Sequence, residues 1–284
     1  MMFRSYYFFV LFSFFTPLWV LGLQAEETGL VNTILRFNTN VALADGTSSF
    51  DIELFDHSAS SATRTTPITV ANFLSYILDG SYTNSLIHRS VSGFVVQGGG
   101  FTWPQVSVIE AGGVPLPISK KAPIVNEAGN ANLIGTIAMA KLSGDPDSAT
   151  SQWFINLADN EALDNQNGGF TVFGKVVSGM ELVSAIGANA TYNFSSYFYY
   201  NTPFDELPLR PPFQSIDIDG AVMTVLVPSN YFAIQSIEIL NRKSGTLTIL
   251  QSSDLVNWSE TQRIELNGLD PEKVFIKSEL SIED

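Results

Sequence analysis

The stretch that decides the fold reads Ser85-Leu-Ile-His-Arg-Ser-Val-Ser-Gly-Phe-Val-Val-Gln-Gly-Gly-Gly-Phe101. Most of its side chains are apolar and favour burial, and Arg89 and Gln97 are polar exceptions. Residues an even number apart share one face of a strand, so Arg89 and Gln97 point the same way if the run stays extended, although Ser92-Gly93 can turn it. A guanidinium and an amide on one face suit the binding of a peptide. A buried strand with a surface arginine and a glycine loop is the alternative interpretation.

Composition limits the classes of function that are open to the chain. Its 284 residues allow one domain of about 150–200 residues and a smaller piece, and 45% hydrophobic content fits a globular chain. The formal net charge of −14 argues against nucleic-acid binding, because such a surface repels phosphates. The absence of cysteine removes disulfide and thiol chemistry, and two histidines without cysteine are a poor basis for a metal site. We expect no metal and no cofactor.

The N-terminal residues 1–25 have the pattern of a signal peptide. Arg4 supplies a positive charge, and Tyr6 to Leu23 is almost wholly apolar. We expect cleavage after Ala25 and an exported, periplasmic or extracellular product, although Leu23 fits the cleavage pattern poorly. An uncleaved membrane anchor is the alternative, because Ser5 to Leu23 is 19 residues long. An anchor of this kind is the only membrane contact that we expect.

Periodicity predicts a hairpin and a helix in the first part of the chain. Asn32–Val41 and the alternating Phe50–Asp56 flank a turn signal and predict paired strands. Thr66-Pro67 predicts a helix start, with Thr66 as the cap, and Gly80 predicts its end. The apolar stripe between them is Val70, Phe73, Leu74, Ile77 and Leu78.

The rest of the chain reads as strands, loops and one more helix. Strands are expected at Gln152–Leu157 and Phe170–Val177, a helix at Met180–Ile186, a loop over Phe101–Pro123, and a closing strand at Gly220–Pro228. The aromatic segment 188–213 is expected to be an insertion that packs on the domain. Residues 229–284 are expected to form a small β-rich module, with strands at Phe232–Leu240, Gly245–Leu250 and Gln262–Leu266.

Three blocks of residues resemble the cyclophilins, which are peptidyl-prolyl isomerases. They are Ile87-His-Arg89 with Gly93-Phe94 and Gln97-Gly-Gly-Gly-Phe101, then Gly135–Ala140 leading into Ser148–Asn156, and finally Leu163-Asp164 with Phe170–Val176. The resemblance extends over about Thr33 to Pro228 and is similar to the bacterial exported type. It implies a mainly β fold for residues 30–228: a closed eight-stranded antiparallel β-barrel capped by two helices.

The resemblance also implies roles for single residues. Arg89 matches the catalytic arginine. The wall of a proline pocket is matched by Phe94, Val95, Phe154 and Leu163, and groups that hold the substrate backbone are matched by Gln97 and Gln152. Ala140 and Lys141 match the strand beside the bound peptide, and Phe170 matches a further substrate contact. The implied partners are proline-containing segments of client proteins, bound by a monomer. We expect Arg89 to be exposed at the pocket rim and not buried in a salt bridge.

An arginine suits this reaction for a physical reason. Resonance sets a barrier of about 18–20 kcal/mol to rotation about a peptide bond. In the twisted state the prolyl nitrogen gains a lone pair, and a fixed charged donor beside it stabilises that state over the planar one. Arginine stays protonated and carries its donors in a planar fork. A dry apolar socket for the proline ring is also needed.

Some positions depart from the family pattern. Ile87, Val95, Trp153, Ala162 and Phe170 stand where well-known members carry other residues, and the missing tryptophan at Ala162 implies poor cyclosporin binding. Because Arg89 is kept, we expect activity with an altered peptide preference. The alternative functions are a non-catalytic module that binds proline peptides or acts as a chaperone, and a surface protein whose C-terminal module does the main work.

Overall fold

The structure is a computed structural model, and it describes residues 9–10, 20–27, 32–57, 63–103, 115–194, 204–218, 221–241, 245–252 and 259–265. In the strands within 9–27, 214–225 and 241–265, only the backbone is described, and the strand Ala233–Asn241 has described side chains through Leu240. The chain divides into two compact units, one formed by residues 32–240 and the other by residues 1–31 together with 241–284.

The larger unit is built on one sheet and two helices. Its strands are β1 (Ile34–Thr39), β2 (Ser49–Leu54), β3 (Ser85–Leu86), β4 (Arg89–Val91), β5 (Val95–Gly98), β6 (Phe101–Thr102), β7 (Leu116–Pro117), β8 (Thr136–Met139), β9 (Trp153–Asn156), β10 (Val172–Ser178) and β11 (Ala233–Asn241). The helices are α1 (Pro67–Leu78) and α2 (Met180–Gly187). The strand order is β4-β5-β9-β8-β10-β2-β1-β11-β3-β6-β7, and the described registers are antiparallel.

This sheet is strongly curled but open. Phe37 on β1 and Trp153 on β9 have ring centroids 5.7 Å apart, although their strands are four steps apart in the sheet. In a flat sheet four steps span about 19 Å, so curling is what brings these rings together. The prediction of a mainly β fold with two helices is confirmed. The prediction of a closed eight-stranded barrel is not: the described sheet has 11 strands, and its ends are β4 and β7.

The predicted hairpin forms as the alternation indicated. In β1 and β2 every second residue is buried, and Leu35 pairs with Ile52 and Phe37 with Phe50. The rings of Phe37 and Phe50 stack at 4.8 Å. One face of the hairpin therefore supplies part of the main core, while the other is mostly polar.

Helix α1 has the predicted span but a different cap. Thr66 makes no side-chain capping bond, and the carboxylate of Glu127 accepts hydrogen bonds from the backbone N–H groups of Ile68 and Thr69 at 3.2 and 2.7 Å. A carboxylate from another segment thus satisfies the first helical donors and matches the helix dipole. Gly80, with φ +77°, follows the helix end as predicted.

The strand beside β1 is not the predicted one. Ala221–Val225 pairs with Gln214–Ile218 in a separate two-stranded sheet. The strand next to β1 is instead β11, and the carbonyl of its Ala233 accepts a hydrogen bond from the N–H of Asn40 at 3.1 Å. The larger unit consequently continues past Pro228, where the sequence analysis ended the domain, to Leu240. The predicted loop after Phe101 also contains the short strands β6 and β7.

The described parts of the aromatic insertion are packed into the unit. Phe204, Leu207 and Leu209 are fully buried in a second apolar cluster with Leu86, Phe101, Trp103 and Tyr231. Leu207–Pro208 also pairs with Thr191–Tyr192 in a short two-stranded sheet. The remaining residues of the insertion, 195–203, lie outside the described residues.

The smaller unit contains a four-stranded antiparallel sheet. Its order is Phe9–Val10, Val20–Glu27, Gly245–Ser252 and Ser259–Glu265. The predicted C-terminal strands are thus present, although the first of the three belongs to the larger unit as β11. The strand Val20–Glu27 contains Ala25, after which cleavage was predicted. Among the residues that the structure describes, no helix is long and apolar enough to cross a membrane.

Candidate active site

A row of cross-strand neighbours joins the predicted site residues. Arg89 lies opposite Gln97, Gln97 opposite Phe154, Phe154 opposite Ala138, and Ala138 opposite Val172. Directly opposed residues share a face of the sheet. The chain turns at Ser92–Phe94, with Gly93 at φ +69°, so Arg89 and Gln97 meet across a hairpin and not along one strand.

An apolar cluster lies along this row. Its buried members are Phe55, Val95, Ala138, Phe154, Leu163 and Val172, and Phe94, Ala140 and Phe170 pack against them half-buried. The six predicted apolar site residues are therefore brought together. Phe55, Ala138 and Val172 were missed, because each also reads as an ordinary core position and only the strand register brings them to this face.

A chain of polar contacts borders the cluster. The Gln97 side-chain amide donates to the Gln152 side-chain oxygen at 2.8 Å, and Arg89 Nη1 lies 3.5 Å from Gln97 Oε1. Arg89 Nε is 2.8 Å from Glu206 Oε2. The arginine is half-buried, with 27% of its side chain exposed. Arg89 was expected at the pocket rim and not buried in a salt bridge. Its side chain is partly exposed, but it does form an ion pair, with a carboxylate from the insertion that the sequence analysis did not predict.

Lys141 and Phe170 form the opposite border. Lys141 Nζ donates to the carbonyl of Gly169 at 2.5 Å and lies 4.9 Å from the centroid of the Phe170 ring. Burial lowers the pKa of Lys141. The Phe170 ring in turn meets Phe154 edge to face at 5.7 Å. The cation and the two rings thus make one continuous surface beside Ala140.

Amide side chains hold the segment that carries Leu163 and Phe170. Asp164 Oδ1 accepts bonds from the backbone N–H and the side-chain amide of Asn132, both at 2.8 Å. Asn160 donates to the carbonyl of Phe94 at 3.0 Å. These bonds connect the segment to the turn between β4 and β5, so both sides of the cluster are fixed to each other.

Gly98 and Gly99, which follow Gln97, have a packing role. A Cβ on Gly98 would lie 2.6 Å from the indole ring of Trp153, which is fully buried. Gly99 adopts φ +76° and also contacts Trp153. These two glycines therefore give room to a buried indole.

His88 is a core residue. It is fully buried, and burial lowers its pKa from 6.5 to about 4. The imidazole is therefore neutral near pH 7. Its ring meets Phe101 edge to face at 5.2 Å.

The chain matches one protein family and several members of that family. Residues 42–204 match the family model described as cyclophilin type peptidyl-prolyl cis-trans isomerase/CLD. A peptidyl-prolyl cis-trans isomerase of Acinetobacter baylyi is 37% identical over 180 residues, 62% of this chain and 83% of that protein. Peptidyl-prolyl cis-trans isomerase A of Dickeya dadantii is 38% identical over 199 residues, 68% of this chain and 88% of that protein.

Two further proteins are similar over smaller or more divergent parts. Peptidyl-prolyl cis-trans isomerase B of Escherichia coli is 42% identical over 132 residues, 44% of this chain and 74% of that protein. The crystal structure of a cyclophilin type isomerase of Cryptosporidium parvum covers 74% of this chain and 99% of its own, with a TM-score of 0.46 and 21% identity.

The sequence matches place the protein among the isomerases. More particularly, the chain belongs to the cyclophilin-type peptidyl-prolyl cis-trans isomerase family, and it is an enzyme of that type.

Proposed function

We propose that Arg89 stabilises the twisted state of an X-Pro bond whose proline ring occupies the apolar cluster of Val95, Phe154 and Leu163. The single observation that supports this most is the cross-strand row, which sets a guanidinium beside Gln97 and Phe154 on one face of the sheet. The substrate is a proline-containing segment of a client protein. No covalent bond breaks, so electrostatics and positioning supply the whole of the rate enhancement.

The polar groups have separable tasks in this mechanism. Arg89 stays protonated, and its terminal nitrogens can donate to the prolyl nitrogen as that atom becomes pyramidal. Gln97 and Gln152 are hydrogen-bonded to each other, which restricts both side chains, and a remaining donor of either can hold a substrate carbonyl. The main chain at Ala140 and Lys141 borders the peptide. Burial of the proline ring against Phe154 excludes water, which strengthens the charge interaction.

The experiment is a peptide isomerisation assay on residues 26–284, with proline-limited refolding of a client as a second readout. Acceleration by the wild-type protein that is lost in Arg89→Ala supports the mechanism. Binding of a proline peptide without any acceleration would favour the non-catalytic binding or chaperone module. Equal acceleration by wild type and Arg89→Ala would reject the arginine mechanism while leaving the family assignment intact.

We further propose that the protein is exported, that residues 1–25 are removed after Ala25, and that its clients are exported proteins. The support is the charged and apolar pattern of the segment. Cleavage would remove Val20–Ala25 from a strand that pairs with Leu247–Ser252. Intact mass of the protein from its native host tests this. A mass that retains residues 1–25, in a membrane fraction, would reject cleavage in favour of an anchor.

A further inference from the structure

Glu206 makes two contacts with consecutive residues of the candidate site. Its carboxylate Oε2 lies 2.8 Å from Arg89 Nε, and its backbone carbonyl accepts a hydrogen bond from the N–H of Ser90 at 2.9 Å. The second contact attaches the insertion to the free edge of β4. Glu206 also lies two residues beyond the part of the chain that the family model matches, which ends at residue 204.

The backbone on both sides of Glu206 is anchored. Phe204 and Leu207 are fully buried in the second apolar cluster, and Leu207 pairs with Tyr192 across the short two-stranded sheet. Glu206 itself is half-buried, with 36% of its side chain exposed. A carboxylate between two buried anchors has few positions open to it, so it can restrict a longer and more flexible side chain.

Glu206 and Gln97 contact different nitrogens of Arg89. Nε bonds to Glu206 while Nη1 lies 3.5 Å from Gln97 Oε1. A guanidinium bonded through Nε is restricted in its rotation and keeps its two terminal nitrogens for other acceptors. Both members of the pair are partly exposed, so water screens the charge of the Glu206 carboxylate. The carboxylate therefore lowers the positive potential at the terminal nitrogens of Arg89 only slightly, and this loss is small compared with the benefit of holding the guanidinium in one orientation.

We propose that Glu206 is a positioning residue that holds the Arg89 guanidinium in the orientation needed for isomerisation. This inference rests on the proposed role of Arg89. The insertion is thereby given a function in the reaction, because it carries the carboxylate that orients the arginine.

The test is a double-mutant cycle in the peptide isomerisation assay. Glu206→Ala should lower kcat/KM about three- to tenfold, or roughly 0.6–1.4 kcal/mol, with the loss in kcat and not in peptide affinity. Glu206→Gln, which keeps an acceptor oxygen, should lose less. In an Arg89→Ala background, Glu206→Ala should have no further effect. Asp205→Asn is the matched control, since it removes an exposed neighbouring charge and should leave kcat/KM unchanged.

Three results would overturn the proposal. The first is a kcat/KM that is unchanged or raised in Glu206→Ala. The second is that Glu206→Ala lowers kcat/KM as much in the Arg89→Ala background as in the wild type, and the third is that Glu206→Ala weakens peptide affinity alone. A second readout is independent of activity. The Nε–H signal of Arg89 in a ¹H–¹⁵N correlation spectrum should be protected from exchange in the wild type and lose protection in Glu206→Ala. Wild-type protein without isomerase activity would reject the proposed function, whereas an Arg89 signal that does not respond to Glu206→Ala would reject the positioning role.

Discussion

Replacement of Arg89 by alanine is the sharpest perturbation that the site offers. The guanidinium is proposed to act in the twisted state, so the variant should lose rate and keep most of its affinity for peptide. Removal of one preorganised electrostatic donor typically lowers kcat by about 10²–10³, or roughly 2.7–4 kcal/mol. Peptide affinity rests instead on the apolar cluster around Phe154, which the substitution leaves in place.

The ion pair with Glu206 sets the cost in stability. Arg89 and Glu206 are 27% and 36% exposed, and pairs of that kind contribute about 0–1 kcal/mol to the free energy of unfolding. Arg36→Ala is a matched control: Arg36 binds Asp51 through Nε and Nη2 at 2.9 and 2.8 Å, on β1. It removes a similar pair and should leave activity unchanged.

The assay combines peptide isomerisation, peptide titration and urea unfolding of the same preparations. The reasoning would be refuted if Arg89→Ala had the same kcat/KM and the same unfolding free energy as the wild type, because the guanidinium would then contribute nothing to the reaction. A loss of several kcal/mol in unfolding free energy would refute it differently, by identifying Arg89 as a structural tie.

Three further predictions concern the surroundings of the site. Phe154→Ala, at a residue only 4% exposed, should weaken peptide affinity and rate together and lower the free energy of unfolding by about 3–5 kcal/mol in urea titrations. Glu127→Gln should lower thermal stability by about 0.5–2 kcal/mol without changing kcat, because the carboxylate caps α1 through Ile68 and Thr69. His88 has a pKa of about 4 in the folded protein and 6.5 in the unfolded chain, so below pH 6.5 the unfolded chain binds a proton that the folded protein does not. The contribution of His88 to the free energy of unfolding is therefore complete above pH 6.5 and falls by up to about 3 kcal/mol as the pH drops to 4. The unfolding free energy of His88→Asn should fall less steeply than that of the wild type between pH 6.5 and 4. An equal slope in the two proteins would contradict the lowered pKa of His88 in the folded protein.

The parts of the fold that follow from local pattern were predictable from the sequence. Alternation in Phe50–Asp56 depends on neighbouring residues alone, and it gave the right strand and the right buried face. Pro67 and Gly80 likewise bounded α1 within a residue. The cap of the same helix was not predictable, because Glu127 lies 58 residues from Thr69 in the chain.

The order of the strands was not predictable in the same way. Gly220–Pro228 and Phe232–Leu240 are both segments of strand length that are rich in apolar residues, and either could pair with the open edge of β1. The structure places Ala233–Asn241 there and folds Ala221–Val225 into its own hairpin. Local propensity does not separate these choices, because a sheet edge selects a partner by the long-range packing of both faces.

The candidate site contains residues that a sequence motif can predict and one residue that only long-range packing brings there. The family resemblance assigned roles to Arg89, Gln97 and Phe154, and the register brings these residues together: two hairpin-related strands and one neighbouring strand set the three in a row. Glu206 has no motif around it, and 117 residues separate it from Arg89, so only the packing of Phe204 and Leu207 brings it to the site. A motif can therefore single out a residue such as Arg89, while the contact of that residue with Glu206 depends on a segment that the motif does not contain.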